Sequence, residues 1–214
     1  MKRIVCITGH YGSGKTEISL NLAIQHRFNW LIDLDVINPY FRSREHEHLL
    51  QSHHVQVVSS DVKRGMYIDT PFISKHVFQP FHQTELRAIY DLGGSDLGAK
   101  LLRQFENESF DEVDFLFVVN TYRPETQTVE AILNVMHTIE SSSGRKLTGL
   151  IHNSNLLNET TIDDIQAGQA IVNEASRLSS LPVFFTCVPN HLIPLTSTFQ
   201  GDILPLQLYL RPHY

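Results

Sequence analysis

Cysteine is scarce in this chain: only Cys6 and Cys187 occur in 214 residues, beside a single tryptophan. Both sit inside apolar, strand-like runs. They read as small buried hydrophobes and not as a disulfide framework, which suits a reducing cytoplasm. Basic clusters are missing as well. The 17 Lys and Arg are outnumbered by 23 Asp and Glu, for a formal net charge of −6. A general nucleic-acid binder needs clustered cations for the phosphates, so no nucleic-acid partner is expected. Nor is there a long hydrophobic run: the early stretch from Ile4 to Ile7 is far too short for a signal or membrane segment. The tail, residues 201–214, carries two prolines and one arginine and lacks the basic amphipathic pattern of a membrane-surface helix. With 42% hydrophobic and 19% charged residues the chain is not disordered, and its length suits one domain. A soluble cytoplasmic protein is expected.

What is there is an alternation of short β-rich runs and longer helical patterns. Strands are predicted at residues 3–8, 30–35, 55–60, 86–91, 114–120, 147–153 and 183–188. Several are apolar almost throughout, as strands covered by helices on both faces must be. Helices are predicted at 15–26, 42–51, 96–106, 125–140 and 161–178, the last opening on a threonine with acids three residues on. Such alternation implies an α/β fold, a doubly wound, mainly parallel sheet of about seven strands flanked by helices. Residues 61–84 are the least periodic and are expected to form a lid or partner-facing insertion within a single domain spanning 1–214.

The most informative string is Gly9-His10-Tyr11-Gly12-Ser13-Gly14-Lys15-Thr16, a full G-x-x-x-x-G-K-[ST] match between the first strand and the first helix. Glycines let consecutive N–H groups turn toward a phosphate, and the helix start adds its positive end. Lys15 supplies a point charge for β- and γ-phosphates, and the Thr16 hydroxyl is a Mg²⁺ ligand candidate. Two carboxylates, Asp33 and Asp35, close the second strand at a spacing of two, so both face one side of the sheet. Held that close, they need a cation or a donor between them. Asp35 is the candidate for positioning the attacking water or for the outer metal shell, with Asp33 as its support. A further strand ends in Asp91-Leu92-Gly93-Gly94. Asp91 is placed to reach magnesium through a water, and a glycine after it can offer its N–H to a γ-phosphate.

Together, the loop from Gly12 to Glu17, the segment Asp33-Leu34-Asp35-Val36-Ile37-Asn38-Pro39-Tyr40-Phe41-Arg42 and the turn from Asp91 to Gly94 resemble the ParA/MinD/CobQ-type P-loop ATPases of the SIMIBI class. The likeness is closer to a bacterial group of ParA/MinD-like ATP-binding proteins with a Gly-Ser-Gly-Lys-Thr-Glu loop and an Asp-Leu-Asp-x-x-Asn-Pro-Tyr-Phe-Arg segment. It spans roughly residues 1–190, apart from 61–84. The resemblance implies the P-loop NTPase fold and an ATP-binding, slowly hydrolysing switch that acts on a partner protein, often as a homodimer. One position departs from it. ParA/MinD proteins place a lysine directly after the first glycine of the loop, where it reaches across a dimer to the other subunit's phosphates; here that residue is His10.

The base is expected over the carboxyl ends of the later strands. There Asn153, Pro189 and Asn190 are candidates, since an Asn amide can pair with a purine edge. The guanine-reading Asn-Lys-x-Asp motif is missing, which favours ATP over GTP. Other features carry less. Glu45-His46-Glu47-His48 lacks a metal-binding spacing on one helical face. Of the candidates for phosphate-sensing charge, Arg44 and Arg64 read chiefly as surface charges and Arg42 gains weight from the family-like string, while Tyr122-Arg123-Pro124 sits on the ligand-bearing rim with Pro124 opening a helix. The expected function is a Mg²⁺–ATP-dependent switch with weak ATPase activity. Two alternatives remain open at this point: a small-molecule kinase or ATP-dependent ligase, and a non-hydrolysing nucleotide-binding regulatory module.

Overall fold

The computed structural model describes residues 1–35, 44–59, 75–94, 96–195 and 199–210, and for 44–47, 59, 96, 97 and 195 the backbone alone. Eight strands form one sheet in the order β3-β2-β4-β1-β5-β6-β7-β8. They are β1 (Ile4–Gly9), β2 (Trp30–Leu34), β3 (Gln56–Ser59), β4 (Ala88–Leu92), β5 (Val113–Val119), β6 (Gly149–His152), β7 (Val183–Pro189) and β8 (Asp202–Leu206). Every pairing is parallel. The seven expected strands are all present; β8 is an eighth.

Among the described residues, six α-helices lie between the strands: α1 (Lys15–Gln25), α2 (Arg44–Ser52), α3 (Gln79–His82), α4 (Asp96–Leu101), α5 (Val129–Ser143) and α6 (Ile162–Ser179). Alternating β1 side chains feed two separate cores. Ile4 and Cys6 join the core that α4, α5 and α6 cover, while Val5 and Ile7 join the one beneath α1 and α2. That division is the physical content of an all-apolar parallel strand. Both cysteines are buried and unpaired, and burial pushes their thiols up. Thr161 caps α6 in a reciprocal box with Asp164, and α5 stops at Gly144 in the left-handed conformation.

Within the stretch expected as an insertion, residues 75–84 pack onto the sheet. A short 3₁₀ turn (Lys75–Phe78) leads into α3, and Val77 is fully buried. The buried Tyr90 hydroxyl donates to the Val77 carbonyl at 2.6 Å, while Phe81 stacks at 5.8 Å from Tyr90 and 5.5 Å from Phe105. Aromatic pairs of this kind add about 1 kcal/mol each beyond their burial. The remainder of the expected lid, residues 61–74, lies outside the described residues, as do residues 36–43 of the family-like string.

β8 escaped the sequence reading because it is short, contains Pro205 and has a mixed exposure pattern. Proline costs little there, since an edge strand has one side free of the ladder. Leu204 and Leu206 bury β8 in the core beneath α1, and polar contacts add to this. Asn21, fully buried on α1, donates to the Gln207 carbonyl (2.9 Å) and accepts from its N–H (3.0 Å). Gln25 donates to the Pro205 carbonyl at 2.7 Å. Among the described residues no helix is long and apolar enough to cross a membrane.

Candidate functional site: a phosphate-binding loop

The carboxyl ends of β1, β2 and β4 meet where the loop from Gly9 to Thr16 enters α1. Register puts Asp33 of β2 beside Asp91 of β4, and Asp91 beside Ile7 of β1, so acids far apart in sequence converge. Gly14 starts the helix at φ 92°. A methyl group there would lie 2.4 Å from the Asn153 amide nitrogen, so both the backbone angle and the space demand glycine.

Lys15 is 7% exposed, and its ammonium donates to the His10 carbonyl at 3.2 Å. Burial pushes its pKa down; the Asp91 and Asp35 carboxylates pull it back up. Thr16 donates its hydroxyl to one Asp91 oxygen at 2.6 Å, and Ser19 donates to the other at 3.3 Å. Asp91 is itself wholly buried, which raises its pKa to about 6 against the opposing effects of the Thr16 hydrogen bond and Lys15. A carboxylate this short of water, next to a half-compensated lysine, is a site that gains from a further cation.

Asp35 lies just past β2 and is half-buried, and its backbone N–H donates to Asp33 Oδ1 at 2.8 Å. Asp33 therefore shapes the strand end that carries Asp35. A methyl on Gly93 would sit 3.1 Å from Asp35 Oδ1, and one on Gly94 would sit 2.8 Å from Lys15 Nζ and 2.7 Å from Tyr11 Cα. The two glycines let the turn after β4 close directly over the loop. Lys15, Thr16, Asp35, Asp91 and this turn thus share one small region.

Several of the expected nucleotide contacts also have partners within the chain. Asn153 is buried under the loop, where its amide donates to the Ser13 carbonyl at 2.8 Å and braces the turn. Glu17 faces away from the phosphate side and accepts the N–H groups of Tyr209 and Leu210 at 2.5 and 3.1 Å. It belongs, with Asn21 and Gln25, to a stripe at spacing four along α1 that holds the last described segment; that spacing was a signal available in the sequence. His10 pairs with Glu125 at 3.3 Å, while Tyr11 is exposed. Pro189 and Asn190 do line a cleft of about 190 Å³, with Asn155, Leu206, Gln207 and Leu208 among the other walls. Asn190 donates there to the Gln207 side chain at 3.0 Å.

Ser19 went unread in the sequence, while Arg123 was placed on the ligand-bearing rim without a partner. Ser19 is the second donor to Asp91. Arg123 donates its Nε–H to the Gly12 carbonyl at 2.8 Å. Among the described residues no group of three or more His, Cys, Asp or Glu is arranged to hold a metal ion by itself. Thr16 and Asp91 nevertheless suit an octahedral cation that takes most of its ligands from phosphate and water.

Among solved structures, the crystal structure of the cell division protein FtsY from Thermotoga maritima is similar over 86% of this chain, with a TM-score of 0.52 and 14% identity. The fold is that of a P-loop NTPase. The signal recognition particle receptor FtsY from Elizabethkingia anophelis aligns over 97% of the chain at 10% identity and a TM-score of 0.35. The chain spans 61% and 60% of the length of these two proteins. No protein-family model matches the sequence, and no curated protein matches it. Likeness at this level shows the architecture alone.

Proposed function

We propose that the chain binds Mg²⁺–ATP at the loop from Gly9 to Thr16 and hydrolyses it slowly, as a nucleotide-controlled switch on a protein partner. The observation that carries this reading is the buried set of Lys15, Thr16 and Asp91, in which the Thr16 hydroxyl is tied to Asp91 at 2.6 Å beside a lysine depressed by burial. That set is costly in isolation and becomes favourable around a polyphosphate with its cation.

Each residue then has a role. Loop N–H groups and the start of α1 bind the phosphates, and Lys15 neutralises them. Thr16 and, behind it, Asp91 are the residues to hold Mg²⁺, which supplies charge neutralisation on the phosphate oxygens. Asp35, oriented by Asp33, positions the attacking water. The Gly93-Gly94 turn offers main-chain N–H groups next to Lys15 and responds to the γ-phosphate. Catalysis is thereby mostly positioning and electrostatics.

The base goes to the cleft at Pro189 and Asn190, with adenine favoured because Asn153-Ser154-Asn155 has no guanine-reading lysine or aspartate. Such a switch in a cytoplasmic setting acts through a partner protein or a second copy of itself. With His10 where a cross-dimer lysine would stand, a dimer would have to assemble without that contact.

The test is calorimetric titration of the protein with ATP and GTP in Mg²⁺, alongside Lys15→Ala. Binding of ATP that disappears in the variant is the expected result. Undiminished affinity in Lys15→Ala, or no heat with either nucleotide in the wild type, removes the proposal. Phosphate release that requires an added metabolite would favour a small-molecule kinase instead.

A further inference from the structure

The loop between β5 and α5 meets the phosphate-binding loop at two points. Arg123 donates Nε–H to the Gly12 carbonyl at 2.8 Å, and Glu125 pairs with His10 at 3.3 Å. The guanidinium lies flat along Gly12, its carbon 3.1 Å and one terminal nitrogen 3.3 Å from where a Cβ would be. Arg123 is exposed, and neither terminal nitrogen donates to any other group among the described residues.

This arginine is presented by a rigid turn. Arg123 N–H donates to the Asn120 carbonyl (3.0 Å), the Asn120 side chain accepts from Tyr122 N–H (3.0 Å), and the Thr126 hydroxyl donates to the Asn120 carbonyl (2.7 Å). Thr126 N–H donates back to the Arg123 carbonyl at 2.9 Å, and the Tyr122 hydroxyl is anchored to Asp164 of α6.

Two cations therefore grip carbonyls of one loop two residues apart: Lys15 at His10 and Arg123 at Gly12. The bend from His10 to Gly12 is also where Gly94 packs, against Tyr11 and Lys15. That is the end of the loop facing the turn assigned to the terminal phosphate. We propose that Arg123 contacts the terminal phosphate of a bound nucleoside triphosphate from within the same chain, with its free terminal nitrogens as the donors. The proposal rests on the nucleotide reading above. It gives the site a second cation, planar and bidentate, in a chain whose net charge of −6 otherwise disfavours a polyanion.

The test measures affinity for Mg²⁺–ATP and for Mg²⁺–ADP in wild type, Arg123→Ala and Arg123→Lys, with thermal melting of each. Loss of a charge-assisted contact to the terminal phosphate is expected to weaken ATP by about 10-fold or more and ADP by less than about 2-fold in Arg123→Ala. Arg123→Lys should fall between, keeping the charge but losing the fork. An equal loss for both nucleotides would make Arg123 only a brace for the Gly12 carbonyl and overturn the proposal. No change for either would also overturn it. A wild type that binds neither nucleotide would instead sink the underlying reading, so the two failures are distinguishable.

Discussion

The buried Asp91 carboxyl makes stability depend on pH in a direction opposite to that of an ordinary salt-bridged acid. Its folded pKa is raised from an ordinary 3.8 to about 6, chiefly by burial. The folded chain thus holds a proton that the unfolded chain has released. The stabilisation is complete below the unfolded pKa and is lost as pH rises through the folded one, from about 4 to about 6. At about 1.4 kcal/mol for each tenfold change, the loss across that window comes to about 3 kcal/mol. Asp91→Asn keeps the shape and cannot titrate. Urea unfolding of nucleotide-free wild type and Asp91→Asn, measured every half unit from pH 4 to 6.5, isolates this contribution. Any constant offset, such as the lost partner for Lys15, cancels when the two curves are compared for slope. The gap should shift by about 3 kcal/mol in favour of the variant as pH rises. Parallel curves across the window would refute the claim that this carboxyl is shut away from water beneath Thr16 and Ser19.

Other expectations follow from single contacts. Asp35→Ala should retain ATP binding yet lose turnover, and normal phosphate release by that variant would take Asp35 out of the mechanism. Asn153→Ala orphans the Ser13 carbonyl in a buried place and should cost about 1–3 kcal/mol in denaturant unfolding. A variant as stable as wild type would mean that the loop needs no brace. Asn21→Ala leaves both polar groups of Gln207 unpaired against α1, so amide exchange across 204–210 should accelerate selectively. Exchange unchanged there would show that strand pairing alone holds β8.

Periodicity and a handful of motifs already specified the α/β class, seven strands and the loop that opens α1. These are local properties: an apolar run of five, a capped amphipathic stretch and a glycine spacing each dictate backbone without reference to distant residues. The capping box at Thr161 and Asp164 was legible for the same reason. The convergence of Asp35 and Asp91 on Lys15 was inferable too, because parallel strands bring their carboxyl ends to one rim.

Only the tertiary structure decided which polar side chains face that rim. Asn153 and Glu17 look like nucleotide contacts in a linear string, yet one grips the loop's own main chain and the other the segment after β8. Arg123 could be placed on the rim from the sequence, but not on Gly12, 111 positions away. The difference is physical. A motif fixes the dihedral angles of its own few residues, whereas a long polar side chain takes whichever buried donor or acceptor packing brings within 3 Å, and that depends on strand order across the whole sheet.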